Sequence, residues 1–289
     1  MRVSSQNARV GGGRHNDRNF DISKSLHIDK SKIKDNVQLS WRGKFTEGFE
    51  KDELTYYENT FADALRVDNE KSIKQGHKER VRQMKDFISA RKSKPEESIY
   101  QIGDKDSHVE REILLDCYSE FLGFQSDWNR QHGEPFKILN FALHADEATP
   151  HIHQRRVWQY HDEDGIMRVG QEKALKEAGV ELPFRDKPEG RFNNRKMSFD
   201  SMMREKWMDI IEAHGIEIER EPIPDGRKHQ DKEDFIRAKN EELIKENNLL
   251  VQKKEILLEI IKSMETDAVD VAHEIIDSIE LQSYEERIR

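Results

Sequence analysis

Lys137-Ile138-Leu139-Asn140-Phe141-Ala142-Leu143-His144-Ala145-Asp146-Glu147-Ala148-Thr149-Pro150-His151-Ile152-His153 is the stretch on which the rest of the chain turns. Lys137–Leu143 reads as a strand, and a second strand-like run follows from His151 to about Tyr160. Residues two apart on a strand share a face, so His151 and His153 point the same way and Ile152 points into the opposite, packed face. His144 ends the first strand, and the turn containing Pro150 can fold it back beside the pair. Three neutral imidazoles converging from adjacent strands make a facial site for a divalent metal, with coordination positions left open. Asp146 and Glu147 lie in the connecting turn, within reach to orient an imidazole or act as a base. A lone His-x-His pair carries little meaning. Three histidines and two acids around one turn, in a chain with 12 His, carry more.

Towards the N-terminus, Gly11-Gly12-Gly13 lets backbone approach a ligand closely, and Arg14-His15-Asn16-Asp17-Arg18 follows. A histidine between two guanidinium groups suits a phosphate partner, and the positive charge favours its neutral form. The plainer alternative is a basic arm that only touches DNA backbone.

His144-x-Asp146-Glu147-x-x-Pro150-His151-x-His153 resembles the metal motif of the His-hydrophobic-His endonucleases, and most closely that of the plasmid mobilisation relaxases of the Mob/Pre (MobV-type) family. His15-Asn16-x-Arg18 resembles that family's His-Asn-x-Arg motif, in the expected order, and the resemblance spans roughly residues 1 to 230. It implies a metal-dependent enzyme that nicks one DNA strand at a plasmid transfer origin and can rejoin it through a covalent 5′-phosphoryl-histidine adduct. In that reading His15 is the nucleophile, Arg18, Asp146 and Glu147 assist, and His144, His151 and His153 hold the metal. Mn2+ is the implied cation and Mg2+ an acceptable one, although three imidazoles would also suit zinc. Arg14, Asn16, Arg155 and Arg191 are the expected DNA contacts. Tyrosine is the commoner nucleophile across the wider superfamily, which makes Tyr56 the runner-up; Tyr57 reads as core. Gln154-Arg155-Arg156 departs from the family, which continues with apolar or small residues there. A replication initiator with the same chemistry, and a non-catalytic dimeric DNA-binding protein with a structural metal, are the competing readings.

The remaining elements follow from periodicity. Gln38–Trp41 is a short strand, and Lys51–Arg66 and His77–Arg91 are helical. Glu97–Gly103 alternates as a half-buried strand, and Val109–Gln131 is a long helix with Ile113, Leu114, Cys117, Phe121 and Leu122 inward. Ile166–Val169 returns as a hairpin strand, Gly170–Gly179 is a short helix, Phe199–His214 another, and Ile216–Ile218 a further strand. Residues 183–196 read as a basic loop, fit either to close over single-stranded DNA or to be plain surface. The expected fold class is α+β: an antiparallel sheet with helices packed on one side, followed by a long C-terminal helix.

The chain of 289 residues carries a net charge of −9, unevenly spread. Residues 1–45 hold ten Lys/Arg against four Asp/Glu, and residues 230–289 hold nine basic against sixteen acidic side chains. The head is basic enough to meet phosphates, and the tail repels them. Pro222, Pro224 and Gly226 mark a boundary between a nicking domain, residues 1–228, and a helical tail, 229–289. From Ile236 to Ile275 the tail keeps alternating steps of four and three, with Asn240 and Asn247 on the seam, which predicts a coiled coil and a homodimer. No apolar run approaches a membrane span, and a single cysteine, Cys117, fits a reducing cytoplasm.

Overall fold

The computed structural model describes residues 1–7, 12–25, 27–43, 47–220, 245, 248–254 and 278. The chain divides into two compact units, Met1–Pro222 and Ile223–Arg289. In the second, residues 248–254 are helical, while Asn240, Asn247 and most of the heptad seam lie outside the described residues. No described helix is long and apolar enough to cross a membrane.

The first unit is α+β and built on an antiparallel sheet. Its strands are β1 (Val3–Asn7), β2 (Val37–Ser40), β3 (Glu96–Ile102), β4 (Phe136–His144), β5 (His151–His161) and β6 (Met167–Val169). They run in the order β1-β3-β5-β4-β2, with β6 paired to the far end of β5. The helices are α1 (Gly13–Asn16), α2 (Phe49–Lys74), α3 (Met84–Ser89), α4 (Arg111–Gln131), α5 (Gln171–Glu177) and α6 (Arg195–Ala213).

Strand alternation divides β5 into two sets of side chains. Ile152 and Trp158 join the larger core with Leu114, Cys117 and Phe121 of α4 and Phe199 and Trp207 of α6. Val157, of opposite parity, joins a smaller core with Tyr57, Phe61 and Leu65 of α2 and Phe87 of α3. Helices therefore pack on both faces, rather than on one as periodicity suggested, because the apolar stripe of α2 needs a sheet face of its own. That second cover reaches Val157 but leaves His151 and His153, on the same face, to other partners. A register shift between Ile138 and Asn140 makes Leu139 an inserted residue in β4. The bulge turns consecutive side chains to one side: Leu139 packs with Val157, while Asn140 donates to Glu53 Oε1 at 2.7 Å.

Several local expectations change. The helix expected over 77–91 is only α3, because Asn69 on α2 holds the Arg82 backbone in both directions and Gln83 starts a new helix in a capping box with Asp86. Ile113, read as inward, is exposed. Ile216–Ile218 is not a strand; the N-terminus docks there instead, Met1 donating to Glu217 O and Glu219 N–H donating to Met1 O. Strand β1 went unread because Val-Ser-Ser-Gln-Asn has no clear alternation.

Phe121 is fully buried between the rings of Tyr100 and Trp207, at 5.2 and 5.3 Å. Phe121→Ala is expected to lower unfolding free energy by ~3–5 kcal/mol in urea with the m-value unchanged.

Candidate metal centre and nucleophile

The centre forms where the end of β4 meets the start of β5. His144 pairs with His151 across the two strands, and Ala142 with His153, so three imidazoles crowd one patch of one face. Their ring centroids lie 4.7–5.3 Å apart.

Each ring has one nitrogen committed to an outer partner. His144 Nε2 lies 3.0 Å from the Asn16 carbonyl, and His151 Nδ1 lies 2.9 Å from the Thr149 carbonyl. A carbonyl oxygen only accepts, so both nitrogens carry the proton. His153 Nδ1 lies 2.6 Å from Glu97 Oε1. Burial alone would raise the Glu97 carboxyl, but His153 and Arg155 outweigh it and hold Glu97 ionised, so this nitrogen donates as well. In the neutral rings the lone pairs then sit on His144 Nδ1, His151 Nε2 and His153 Nε2. His144 Nδ1 is buried without a hydrogen-bond partner, and the two Nε2 atoms face each other at 3.0 Å. Two lone pairs at that distance repel unless a proton or a metal cation lies between them. Nitrogens bound to one metal at about 2.1 Å are ~3.0 Å apart on adjacent octahedral corners and ~3.4 Å apart on tetrahedral ones. The imidazoles therefore fit a divalent metal. Burial, then His153, keeps both His144 and His151 below the usual imidazole range and so neutral at pH 7.

Glu97 was missed in the sequence, although it was visible as an acid at an inward position of a half-buried strand. It extends a buried chain of charge. Arg155 Nη1 donates to Glu97 Oε2 at 2.8 Å, while its Nε and Nη2 grip Glu53 of α2 at 2.6 and 2.9 Å. Arg155, expected to touch DNA, is therefore buried and held between two carboxylates; it fixes the carboxylate that fixes His153. The other members of the unusual triplet are also spoken for. Gln154 accepts from Tyr118 and exchanges hydrogen bonds with Gln125, and Arg156 donates to Ser98 and Tyr100.

The N-terminal motif closes over the histidines. α1 is a single turn seated on α2, where a side chain at Gly13 would meet the Glu50 backbone nitrogen at 2.8 Å. Arg18, in left-handed backbone at φ 57°, binds Asp146 through two nitrogens at 3.0 and 2.6 Å and Glu147 at 2.9 Å. Asn36 donates to Asp146 at 2.8 Å and accepts from Ala145 N. Asp146 is fully buried and held by Arg18 and Asn36. Its place makes it a brace for the turn, not a base.

Arg18 thereby brings His15 to the centre. The His15 ring lies 5.4 Å from the rings of both His144 and His153 and stacks on Phe20. Its side chain is 37% exposed, and Glu147 Oε1 is 4.0 Å from its Nε2. Burial first, then His153 and Arg18, lower His15 to about 4, so it is neutral at pH 7. Glu147 Oε1 also lies 3.7 Å from His144 Nδ1. Burial would raise its carboxyl, but His151 and Arg18 win and keep it ionised. Donor atoms of His144, Glu147 and His151 form one group close enough to share an ion, and those of His15, His144 and His153 form another.

Of the remaining candidates, Asn16 is buried, and what it offers the site is its carbonyl to His144. Arg14 and Arg191 are exposed. Tyr56 is buried against Gln159, which lies eight residues along β5 from His151, ~26 Å at the rise of a strand. Tyr57 is fully buried and donates to Ser93 O, and burial raises its phenol.

No family model and no curated protein matches this chain. Among solved structures, it is similar to the MobM relaxase domain (MOBV; Mob_Pre) bound to plasmid pMV158 oriT DNA, in Mn-bound crystals. One such structure, at pH 6.8, is 18% identical, with a TM-score of 0.49, and the match covers 82% of this chain and 99% of the other. A second, at pH 5.5, is 20% identical, with a TM-score of 0.45, and the match covers 82% and 100%.

Arg18→Met removes the buried guanidinium and leaves Asp146 with Asn36 alone. A loss of ~3–5 kcal/mol in urea unfolding is expected, with a large part restored by adding Asp146→Leu. Equal stability of the single variant and the native chain would show that this pair does not close the site.

Proposed function

We propose that this chain is a metal-dependent DNA relaxase that cuts one strand at a plasmid transfer origin by transesterification. The observation that carries the reading is the crowding of three imidazoles on one patch, with a fourth, neutral and partly exposed histidine beside them. His144, His151 and His153 would hold the cation, with Glu147 at its edge, and the motif resemblance makes Mn2+ the first ion to test. When bound, such a cation polarises a phosphodiester through its non-bridging oxygens and offsets the charge that grows on them.

The residues supply the rest. Neutral His15 has a free electron pair for the phosphorus atom. As the N–P bond forms, the P–O3′ bond breaks; the 3′ oxygen leaves with a proton and the 5′ phosphoryl group stays on His15. Glu147, with Oε1 4.0 Å from His15 Nε2, would take the proton that the ring sheds as it becomes a phosphoramidate and pass it to the departing 3′ oxygen. Arg18 keeps the whole arm on the turn. Attack by a later 3′ hydroxyl reverses the step and reseals the strand, which suits transfer better than degradation. The heptad register of residues 236–275 supports a homodimer joined through the tail, with residues 1–228 as the nicking domain.

His15 has a second reading, as a fourth ligand, supported by its place in the group with His144 and His153. Mass spectrometry after incubation with supercoiled transfer-origin plasmid and Mn2+ separates the two. A phosphoryl–peptide adduct on His15 is expected, and His15→Ala is expected to lose at least ~10³-fold in nicking rate while still binding Mn2+. An adduct that persists in His15→Ala, or one that vanishes in Tyr56→Phe, contradicts the assignment.

Glu97→Ala leaves all three ligands in place but frees His153 to rotate. Mn2+ affinity by calorimetry is expected to fall ~10- to 100-fold. Unchanged affinity would remove Glu97 from the account.

A further inference from the structure

A groove of about 1280 Å³ runs beside the metal centre. Gly12 and Gly13, which precede Arg14 and His15, line it, as does Glu97, which holds His153. Five exposed cations line it as well: Lys85, Arg91, Lys92, Lys94 and Lys173. Among the described residues none of the five belongs to an ion pair. Four of the five lining carboxylates are withdrawn from the surface and paired: Glu53 and Glu97 share Arg155, Glu96 pairs with Lys196 and Glu172 with Arg195, which leaves Glu50 as the exposed acid. The exposed charge of the groove is thus mostly positive, in a chain whose net charge is negative.

A second feature stands on its wall. Asn193, nearly buried, closes residues 184–193 into a loop: its side chain accepts from Phe184 N and donates to the carbonyls of Phe184, Lys187 and Pro188. Arg195 bridges this loop to the groove, binding Glu189 of the loop at 2.8 Å and Glu172 of the wall at 2.7 Å. The loop displays Phe184 and Phe192 at 48% and 74% exposure, with Lys187 over the first ring and Arg191 over the second. Exposed rings beside cations, on a loop braced from below, have the chemistry of a base-stacking platform.

Resting on the nicking reading above, we propose that the groove and this loop form a track for single-stranded DNA. The five cations meet successive phosphates, and Phe192 stacks a base as the strand leaves the groove. The contacts are independent of base identity, so the track would hold flanking strand rather than choose the sequence.

The test is fluorescence anisotropy with oligothymidylate dT30 across a salt series. Arg91→Ala/Lys92→Ala/Lys94→Ala is expected to weaken binding on the order of 100-fold at 0.1 M salt and to reduce the salt slope by about 2. Phe192→Ala is expected to weaken it ~5- to 150-fold with the slope unchanged. Lys105→Ala/Arg130→Ala, on other surfaces, should bind as the native chain. Native-like binding by the triple or the Phe192 variant, or a 30-base-pair duplex bound as tightly as dT30, overturns the track. Should dT30 bind as expected while no adduct forms with Mn2+, the nicking reading fails and the track stands.

Discussion

The structure depends on the outward anchoring of three imidazole protons. Asn16 O, Thr149 O and Glu97 each take one N–H, which leaves the opposite nitrogens free on rings that crowd one patch of the sheet. Antiparallel pairing supplies the spacing, since His144 and His151 face each other across two strands and His153 follows at strand parity. The N-terminal arm supplies the closure, since the carbonyl that fixes His144 belongs to the residue after His15. The positions of the His144 and His15 rings are therefore coupled through one short turn of backbone.

Much of the interior serves that arrangement at a cost to stability. The Glu53–Arg155–Glu97–His153 chain and the Arg18–Asp146 pair place several charges out of water, where desolvation rivals attraction. Apolar residues would fill the same space with less expense of free energy. What the charges add is direction: a carboxylate held from behind cannot turn away from the ring it orients. The apolar cores on either side, one under α4 and α6 and the other under α2, supply the stability that lets this polar seam persist.

The sequence was most informative where the periodicity was strict. The two central strands and the gathering of His144, His151 and His153 follow from parity and one turn, whereas the nearness of His15 was implied only by the motif resemblance. The sequence was less informative where a side chain works through another. Arg155 shares parity with His151 and His153 and so looked like a phosphate contact, but parity cannot show that Glu53 and Glu97 reach it first. Asp146 looked like a base because it neighbours Glu147, whereas Arg18 and Asn36 occupy it from residues far away in the chain. Glu97 itself is 56 residues from the histidine it anchors, and only the register of β3 against β5 brings them together.

The tautomers of the three rings test the account most directly. Long-range ¹H–¹⁵N correlation spectra of the metal-free chain, with His144→Gln, His151→Gln and His153→Gln for assignment, report which nitrogen of each ring is protonated. The account predicts protonated Nε2 on His144 and protonated Nδ1 on His151 and His153, with the opposite nitrogens shifting together on addition of a diamagnetic divalent cation. Reversed tautomers, or rings that respond to the cation independently, would contradict it.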